Sequence, residues 1–148
     1  MTQLRPVLLA EDNLNDVELV LAALKRNNLA NEVIVVRDGA EALDYLHRRG
    51  KFHSRGPGLP IVLLLDLKMP KVDGLEVLRD MKSDEALRVV PVVMLTSSRE
   101  EEDLVRSYEL GVNAYVVKPV GFQQFAEAIK QIGMFWAVIN EPPPERTA

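Results

Sequence analysis

The chain has 148 residues, a formal net charge of −4 and no cysteine. Its length fits one folded domain, its acidic balance disfavours a general nucleic-acid binder, and the lack of thiols excludes disulfides and thiolate metal sites. The first residues lack the apolar core of a signal peptide, and no aliphatic run reaches the roughly 18 residues of a membrane span. We therefore expect a single-domain cytoplasmic protein that binds neither nucleic acid nor membranes.

Five short apolar runs along the chain predict β-strands. They are Val7–Ala10, Val33–Val36, Ile61–Leu65, Val92–Leu95 and Ala114–Val117. Each run is apolar throughout rather than alternating, which is typical of strands that are covered on both faces, as in parallel sheets.

The segments between these runs carry apolar residues at helical spacing. Examples are the stripe of Val17, Val20, Leu21 and Leu24 and the stripe of Leu75, Leu78 and Met81. A chain that alternates strand and helix in this way, with right-handed crossovers, predicts an α/β fold with a doubly wound, five-stranded parallel sheet. Because ligands of such sheets bind beyond the carboxyl ends of the strands, we expect the functional site there.

Acidic residues follow two of the predicted strands. Glu11 and Asp12 come directly after the first strand, and Asp66 comes directly after the third. Three carboxylates at one edge of a sheet would repel one another, and a hard cation would relieve this repulsion. Mg²⁺ prefers a few carboxylate oxygens plus waters and a phosphate, so Asp12 and Asp66 are candidate ligands and Glu11 is expected to act through water.

The fourth and fifth predicted strands end in the hydroxyl pair Thr96-Ser97 and in the cation Lys118. An ammonium at this edge could share a phosphoryl oxygen with the metal ion. Each feature also has an ordinary structural alternative: Asp12 as a helix cap, Thr96 to Ser98 as an N-cap cluster, and Lys118 as part of a turn. The combination of acids, hydroxyls and an ammonium at one edge favours a site.

These residues closely resemble the receiver domain of two-component response regulators, the family typified by the chemotaxis protein CheY. The resemblance covers about residues 5–133 and rests on Glu11-Asp12, the segment 66–74, Thr96-Ser97, Tyr115 and Lys118-Pro119. It implies a flavodoxin-like (βα)5 fold with strand order 2-1-3-4-5. We expect residues 1–140 to form a single receiver domain with an extended final helix. Residues 141–148, which contain three consecutive prolines, are expected to be a disordered tail.

The resemblance implies that Asp66 is the phosphoacceptor, whose carboxylate attacks the phosphorus of a phosphohistidine on a partner sensor histidine kinase. Mg²⁺, or Mn²⁺ in its place, would be held by Asp12, Asp66 and the backbone carbonyl of Lys68, with Glu11 in the outer shell. The protein would not be an enzyme for other substrates, because it would catalyse only its own phosphorylation and dephosphorylation.

Phosphoryl oxygens would be bound by Lys118, Thr96 and the backbone N–H groups of Lys68 and Ser97. After transfer, the hydroxyl of Thr96 would move toward the phosphoryl group and Tyr115 would turn inward, which would rearrange the face formed by the fourth helix, the fifth strand and the fifth helix. The alternative for Tyr115 is an ordinary half-buried aromatic residue of a strand.

Three further features of the sequence concern the acid pair, the Lys118-Pro119 peptide and the connection of residues 48–60. Glu11 stands where an aspartate is often found, and the resemblance implies a cis peptide between Lys118 and Pro119. The connection of residues 48–60 is longer than usual for a helix-to-strand loop, and it is rich in basic residues and glycine. Both a docking loop for an acidic partner and a flexible, solvated insertion remain open.

The last apolar stretch has an a/d spacing, formed by Phe122, Phe125, Ile129, Ile132, Trp136 and Ile139. A helix over residues 121–139 would be about 28 Å long and would overhang a sheet whose strands span about 18 Å. We expect a homodimer in which Phe135, Trp136 and Ile139 form the interface together with the neighbouring fourth-helix and fifth-strand surface. The alternative is that this segment folds back over its own core.

The long connection and the pair Phe135-Trp136 resemble the single-domain response regulators that pair with bacterial phytochrome histidine kinases. The expected partners are therefore a sensor histidine kinase of the bacteriophytochrome type and a downstream protein whose identity the sequence leaves open. A haloacid-dehalogenase-type phosphatase is the rival enzyme class, but it would have a second acid two residues after its nucleophile, where Lys68 stands. A flavin-binding module fits less well, because Glu11 and Asp12 would repel its phosphate.

Overall fold

The computed structural model describes residues 5–26, 31–56, 58–97, 100, 111–118, 121, 123–124 and 126–127. Its strands form one five-stranded parallel sheet in the order β2-β1-β3-β4-β5. The strands are β1 (Val7–Ala10), β2 (Val33–Val36), β3 (Val62–Asp66), β4 (Val92–Thr96) and β5 (Ala114–Val117). The sheet order and the α/β class predicted from the sequence are confirmed.

Helices cover both faces of this sheet. The described helices are α1 (Leu14–Arg26), α2 (Gly39–His47) and α3 (Gly74–Lys82), with short 3₁₀ turns at Gly50–Phe52 and Leu87–Val89. Asp38 begins α2 by accepting a hydrogen bond from the N–H of Glu41, and Asp73 begins α3 by accepting one from the N–H of Glu76. Side-chain caps of this kind satisfy N–H groups that have no partner within the helix.

Alternate residues of each strand face opposite sides of the sheet. In β1, Leu9 lies in one core cluster with Val20 and Leu24 of α1, whereas Leu8 lies in the other cluster with Leu78 of α3. These side chains are almost fully buried, which confirms the helical stripes predicted from the sequence. The continuous apolar strands are therefore explained by burial on both faces.

Two strands extend one residue beyond their predicted ends. Asp66 pairs with Leu95 across β3 and β4, and Thr96 pairs with Val117 across β4 and β5. The apolar runs stop before the first polar residue, but the hydrogen bonds between strand backbones do not depend on side-chain polarity. The sheet itself thus fixes the backbones of Asp66 and Thr96.

The basic connection of residues 48–60 is held against α2. The Nε of Arg55 donates to the carbonyl oxygen of Tyr45 at 2.8 Å, and its guanidinium lies 4.1 Å from the centre of the Tyr45 ring. Another guanidinium N–H of Arg55 donates to the carbonyl oxygen of Gly58, while Arg49 pairs with Asp44 at 3.0 Å. Two of the basic residues of this connection therefore bind groups of the same chain. A docking role for the connection stays a prediction.

Gly39 lies where the start of α2 passes close to the segment before α3. A Cβ at this position would lie 1.8 Å from the carbonyl oxygen of Val72, whereas a Cβ at Gly58 would meet nothing within 4 Å. We expect Gly39→Ala to lower the free energy of unfolding by about 1–3 kcal/mol through steric overlap. Gly58→Ala is the matched control and should change it by less than about 0.5 kcal/mol. Equal stability of the two variants in urea unfolding would contradict this close approach.

Several predicted features lie outside the described residues. They are the cis peptide at Pro119, the part of the extended final helix beyond residue 127, the interface residues Phe135, Trp136 and Ile139, and the tail of residues 141–148. These predictions stay predictions. Among the helices that the structure does describe, none has the length and apolar character needed to cross a membrane.

Candidate functional site

Three carboxylates meet where β1 and β3 end. Ligand oxygens of Glu11, Asp12 and Asp66, here called the acidic cluster, lie within 4.8 Å of one another. Glu11 is fully buried and Asp66 is 3% exposed, whereas Asp12 is exposed. Because carboxylates removed from water repel one another strongly, this arrangement requires a nearby positive charge.

Lys118, directly after β5, supplies one positive charge. Its Nζ lies 2.8 Å from Oε1 of Glu11, 3.0 Å from Oδ2 of Asp16 and 3.1 Å from Oδ1 of Asp66. The Glu11 contact is an ion pair rather than a well-formed hydrogen bond, since Oε1 has no hydrogen-bond partner among the described residues. The backbone N–H of Lys118 donates to the carbonyl oxygen of Thr96 at 2.8 Å, which holds the end of β5 beside β4.

The electrostatics of the site follow from these contacts. Burial and the neighbouring Glu11 raise the pKa of Asp66 to about 8, although Lys118 acts in the opposite direction. Burial alone would lower the pKa of Lys118, but its carboxylate neighbours Glu11, Asp16 and Asp66 outweigh burial and raise it. Lys118 is therefore a permanent cation that does not by itself neutralise the acidic cluster.

Thr96 brings an unsatisfied hydroxyl to the same edge. It is the last residue of β4 and is fully buried, and its Oγ1 has no hydrogen-bond partner among the described residues. The capping alternative for Thr96 depends on the N–H groups of Ser98 and Arg99, which lie outside the described residues. A buried hydroxyl without a partner is costly and is a reason to expect a bound group.

The other residues predicted for the site lie close to these strand ends in the chain. Lys68 is exposed in the segment that follows β3, and Ser97 is exposed directly after β4. Tyr115 is half-buried in β5 and packs against the core cluster that contains Leu65 and Met94. The structure thus places all of the predicted site residues that it describes on or beside the strands expected from the sequence.

Two further residues support the site and were not predicted. Beyond β2, Arg37 donates to the carbonyl oxygens of Glu11 at 3.2 Å and Asp12 at 2.6 Å. In α1, Asp16 contacts Lys118, as described above. The end of β2 reaches the same edge as the other strands, so its first polar residue was a signal that could have identified Arg37.

The helix-capping alternative for Asp12 is wrong. The Oδ1 of Asn13 accepts the N–H of Asp16 at 3.1 Å, so Asn13 caps α1. The carboxylate of Asp12 instead belongs to the acidic cluster.

The acidic cluster fits a divalent cation. Its donors are hard carboxylate oxygens, and the three ligand atoms lie within 4.8 Å of one another. Hard divalent cations take such oxygen ligands, and the exposed Asp12 leaves the cluster open to solvent waters on one side. The acidic cluster is therefore suited to binding a divalent cation.

In the absence of metal ions, the raised pKa of Asp66 makes stability depend on pH. The folded protein keeps a proton on Asp66 up to about pH 8, whereas the unfolded chain loses it near the ordinary value of 3.8. The contribution of Asp66 to the free energy of unfolding is therefore full below about pH 4 and is lost as the pH rises through about 8. We expect urea unfolding in EDTA to give a flatter pH profile for Asp66→Asn than for the wild type. Parallel profiles would show that Asp66 titrates normally.

Comparison with known proteins identifies the family. A family model described as the response regulator receiver domain matches residues 7–130. The structure of the bacteriophytochrome response regulator AtBRR superposes with a TM-score of 0.89 at 65% identity, covering 95% of this chain and 100% of that chain. The bacteriophytochrome response regulator RtBRR gives the same TM-score and identity, covering 96% of this chain and 86% of that chain.

A curated relative has a similar description. The response regulator Rcp1 of Synechocystis sp. (strain PCC 6803) is 38% identical over 88% of this chain and 87% of its own length. These proteins are regulators, and nothing in the comparisons supports the phosphatase alternative. The chain therefore belongs to the response regulator receiver domain family and is a phosphorylation-based signalling protein, for which a sensor histidine kinase is the implied partner.

Proposed function

We propose that Asp66 accepts a phosphoryl group from a sensor histidine kinase in a Mg²⁺-dependent transfer. The observation that carries this proposal is the position of Asp66: it is buried at the end of β3, in contact with Lys118 and within the acidic cluster. Two further acids beside a buried carboxylate cost stability, so the needs of the fold alone do not explain this arrangement. The arrangement is suited to a nucleophile that works on an anionic, phosphorylated substrate.

In the proposed reaction, a carboxylate oxygen of Asp66 attacks the phosphorus of a phosphohistidine. The new P–O bond forms an acyl phosphate, the P–N bond breaks, and the departing imidazole keeps the electron pair and takes up a proton. A bound divalent cation would lower the pKa of Asp66 and neutralise charge on the phosphoryl oxygens. Asp66 is then available as a carboxylate near neutral pH.

Lys118 and Thr96 are the proposed side-chain ligands of the phosphoryl group, and the backbone N–H groups of Lys68 and Ser97 are the proposed main-chain ligands. The ammonium of Lys118 already lies 3.1 Å from the attacking carboxylate, and the hydroxyl of Thr96 is buried without a partner among the described residues. Phosphoryl transfer depends mainly on positioning and charge stabilisation, and these groups would provide both.

For the cation we propose Asp12, Asp66 and the backbone carbonyl of Lys68 as direct ligands, with Glu11 acting through water. Mg²⁺ is the expected metal because it keeps several waters and binds through a few carboxylates and a phosphate. Mn²⁺ is a reasonable substitute, and a solved structure of the relative Rcp1 is described as its Mn²⁺-bound form.

We further propose that phosphorylation is transmitted through Thr96 and Tyr115. The two residues lie on the neighbouring strands β4 and β5, and Tyr115 is half-buried. Movement of Thr96 toward the phosphoryl group would favour an inward position of Tyr115 and change the surface around β5. A bacteriophytochrome kinase as the input and a homodimer as the signalling form are parts of the same proposal.

Acetyl phosphate tests this function without a kinase. Purified protein with Mg²⁺ should gain one phosphoryl group, about 80 Da in the intact mass, and should not gain it in EDTA. An unchanged mass in folded protein with Mg²⁺ would overturn the proposal. A gain of the same size in EDTA would overturn its metal requirement.

A further inference from the structure

Asp16 is a third acidic neighbour of Lys118, and it comes from a different element. It lies in the first turn of α1, and its Oδ2 is 3.0 Å from the Nζ of Lys118, a residue 102 positions away in the chain. Asp16 and Lys118 are partly shielded from solvent, with side-chain exposures of 26% and 14%. An ion pair in such a position is screened less than one on the open surface.

The contacts of Lys118 divide into two groups. Glu11 and Asp66 belong to the acidic cluster, whereas Asp16 does not belong to it within the described part of the chain. A divalent cation in the cluster would attract the carboxylates of Glu11 and Asp66 and weaken their hold on the ammonium. The contact with Asp16 does not compete with the cation in this way.

The backbone of Asp16 is well placed to provide a fixed contact. Its N–H donates to the Oδ1 of Asn13 at 3.1 Å, which ties the first turn of α1 to the end of β1. Val17 and Val20 on the same helix are buried in the core, so the helix cannot easily shift away from the sheet. The carboxylate of Asp16 is thus presented to Lys118 from a rigid element.

We propose that Asp16 is a positioning residue, which keeps the ammonium of Lys118 directed at Asp66 once the cation is bound. This inference rests on the proposed function of Asp66 and Lys118. Without Asp16, the long lysine side chain would lose an anionic contact that the cation does not weaken, before the phosphoryl group arrives. Ordering the side chain would then add to the barrier of the transfer.

The test is the rate of acetyl phosphate-driven phosphorylation at saturating Mg²⁺, followed by intact mass. Asp16→Asn keeps the shape of the side chain but removes its charge, and we expect the maximal rate to fall about threefold to tenfold. The acetyl phosphate concentration at half-maximal rate should change by less than about twofold, since the loss concerns the transfer step. Glu18→Gln removes the same charge from an exposed position of α1 and should leave the rate unchanged.

A double-mutant cycle distinguishes action through Lys118 from a general effect on charge. In a Lys118→Met background, Asp16→Asn should cause no further loss of rate. A wild-type rate in Asp16→Asn, or an undiminished loss in the Lys118→Met background, would overturn the inference while leaving the phosphoacceptor assignment intact. Failure of the wild type itself to gain a phosphoryl group is a separate result, because it would overturn the proposed function.

Discussion

The Asp66→Asn protein is expected to gain no phosphoryl group from acetyl phosphate and, without metal ions, to be more stable than the wild type. The variant lacks the nucleophilic oxygen of the proposed transfer. It also removes a buried acid whose pKa is raised to about 8 by burial and by Glu11. We expect the free energy of unfolding near pH 8 to rise by about 1–3 kcal/mol, which corresponds to roughly 2–10 °C in melting temperature for a domain of this size.

The matched control for this variant is Glu85→Gln, which removes one charge from an exposed residue. It should be phosphorylated like the wild type and should have the same melting temperature within error. A phosphorylated Asp66→Asn protein would refute the assignment of the nucleophile. A less stable Asp66→Asn protein would instead show that Lys118 offsets the cost of burying this carboxylate.

The second large effect is expected for Lys118→Met. In metal-free protein this change leaves the buried carboxylate of Glu11, and above about pH 8 also that of Asp66, without the nearest cation. Removing one partner of a buried ion pair usually costs about 3–5 kcal/mol. Because Asp66 is protonated below about pH 8, the loss at pH 7 concerns mainly the contact with Glu11, and we expect it to be about 2–4 kcal/mol. Mg²⁺ should restore much of the lost stability, because it neutralises the same carboxylates.

Lys51→Met is the control for this prediction. Lys51 also forms an ion pair, with Glu41 at 3.2 Å, but its side chain is 66% exposed. Exposed pairs contribute little, so the change should cost less than about 1 kcal/mol and should not respond to Mg²⁺. If chemical unfolding gives the two lysine variants the same stability, the proposed electrostatic role of Lys118 is wrong.

The sheet was predictable because its strands are apolar throughout and are separated by helical stripes. A strand that is buried on both faces has apolar residues at every position, as the fully buried β1 illustrates. The apolar runs in the sequence therefore mark the strand positions. The two strand ends were predicted one residue short, since the backbone pairing of Asp66 and Thr96 is independent of side-chain polarity. The order of the strands came from the family resemblance rather than from the apolar pattern.

The acidic cluster was predictable for a topological reason, since parallel strands bring their carboxyl ends to one edge of the sheet. Asp16 and Arg37 were not predicted, because their roles depend on three-dimensional contacts. Asp16 has the spacing of an ordinary acid in the first turn of a helix, and only the structure places it beside Lys118. Arg37 could have been noticed as the first polar residue after β2, but its contacts with backbone carbonyls have no sequence signature.

The central claim is that the phosphoryl group is attached to Asp66, and chemical trapping of the acyl phosphate tests it most directly. Borohydride reduces an aspartyl phosphate to homoserine and leaves ordinary carboxylates unchanged. Cleavage after Arg55 and Lys68 releases a peptide of residues 56–68, in which Asp66 is the sole acidic side chain. Protein treated with acetyl phosphate and Mg²⁺ should yield homoserine at position 66 of this peptide. Homoserine at Asp12 or at any other acid, with an unmodified peptide 56–68, would contradict the account.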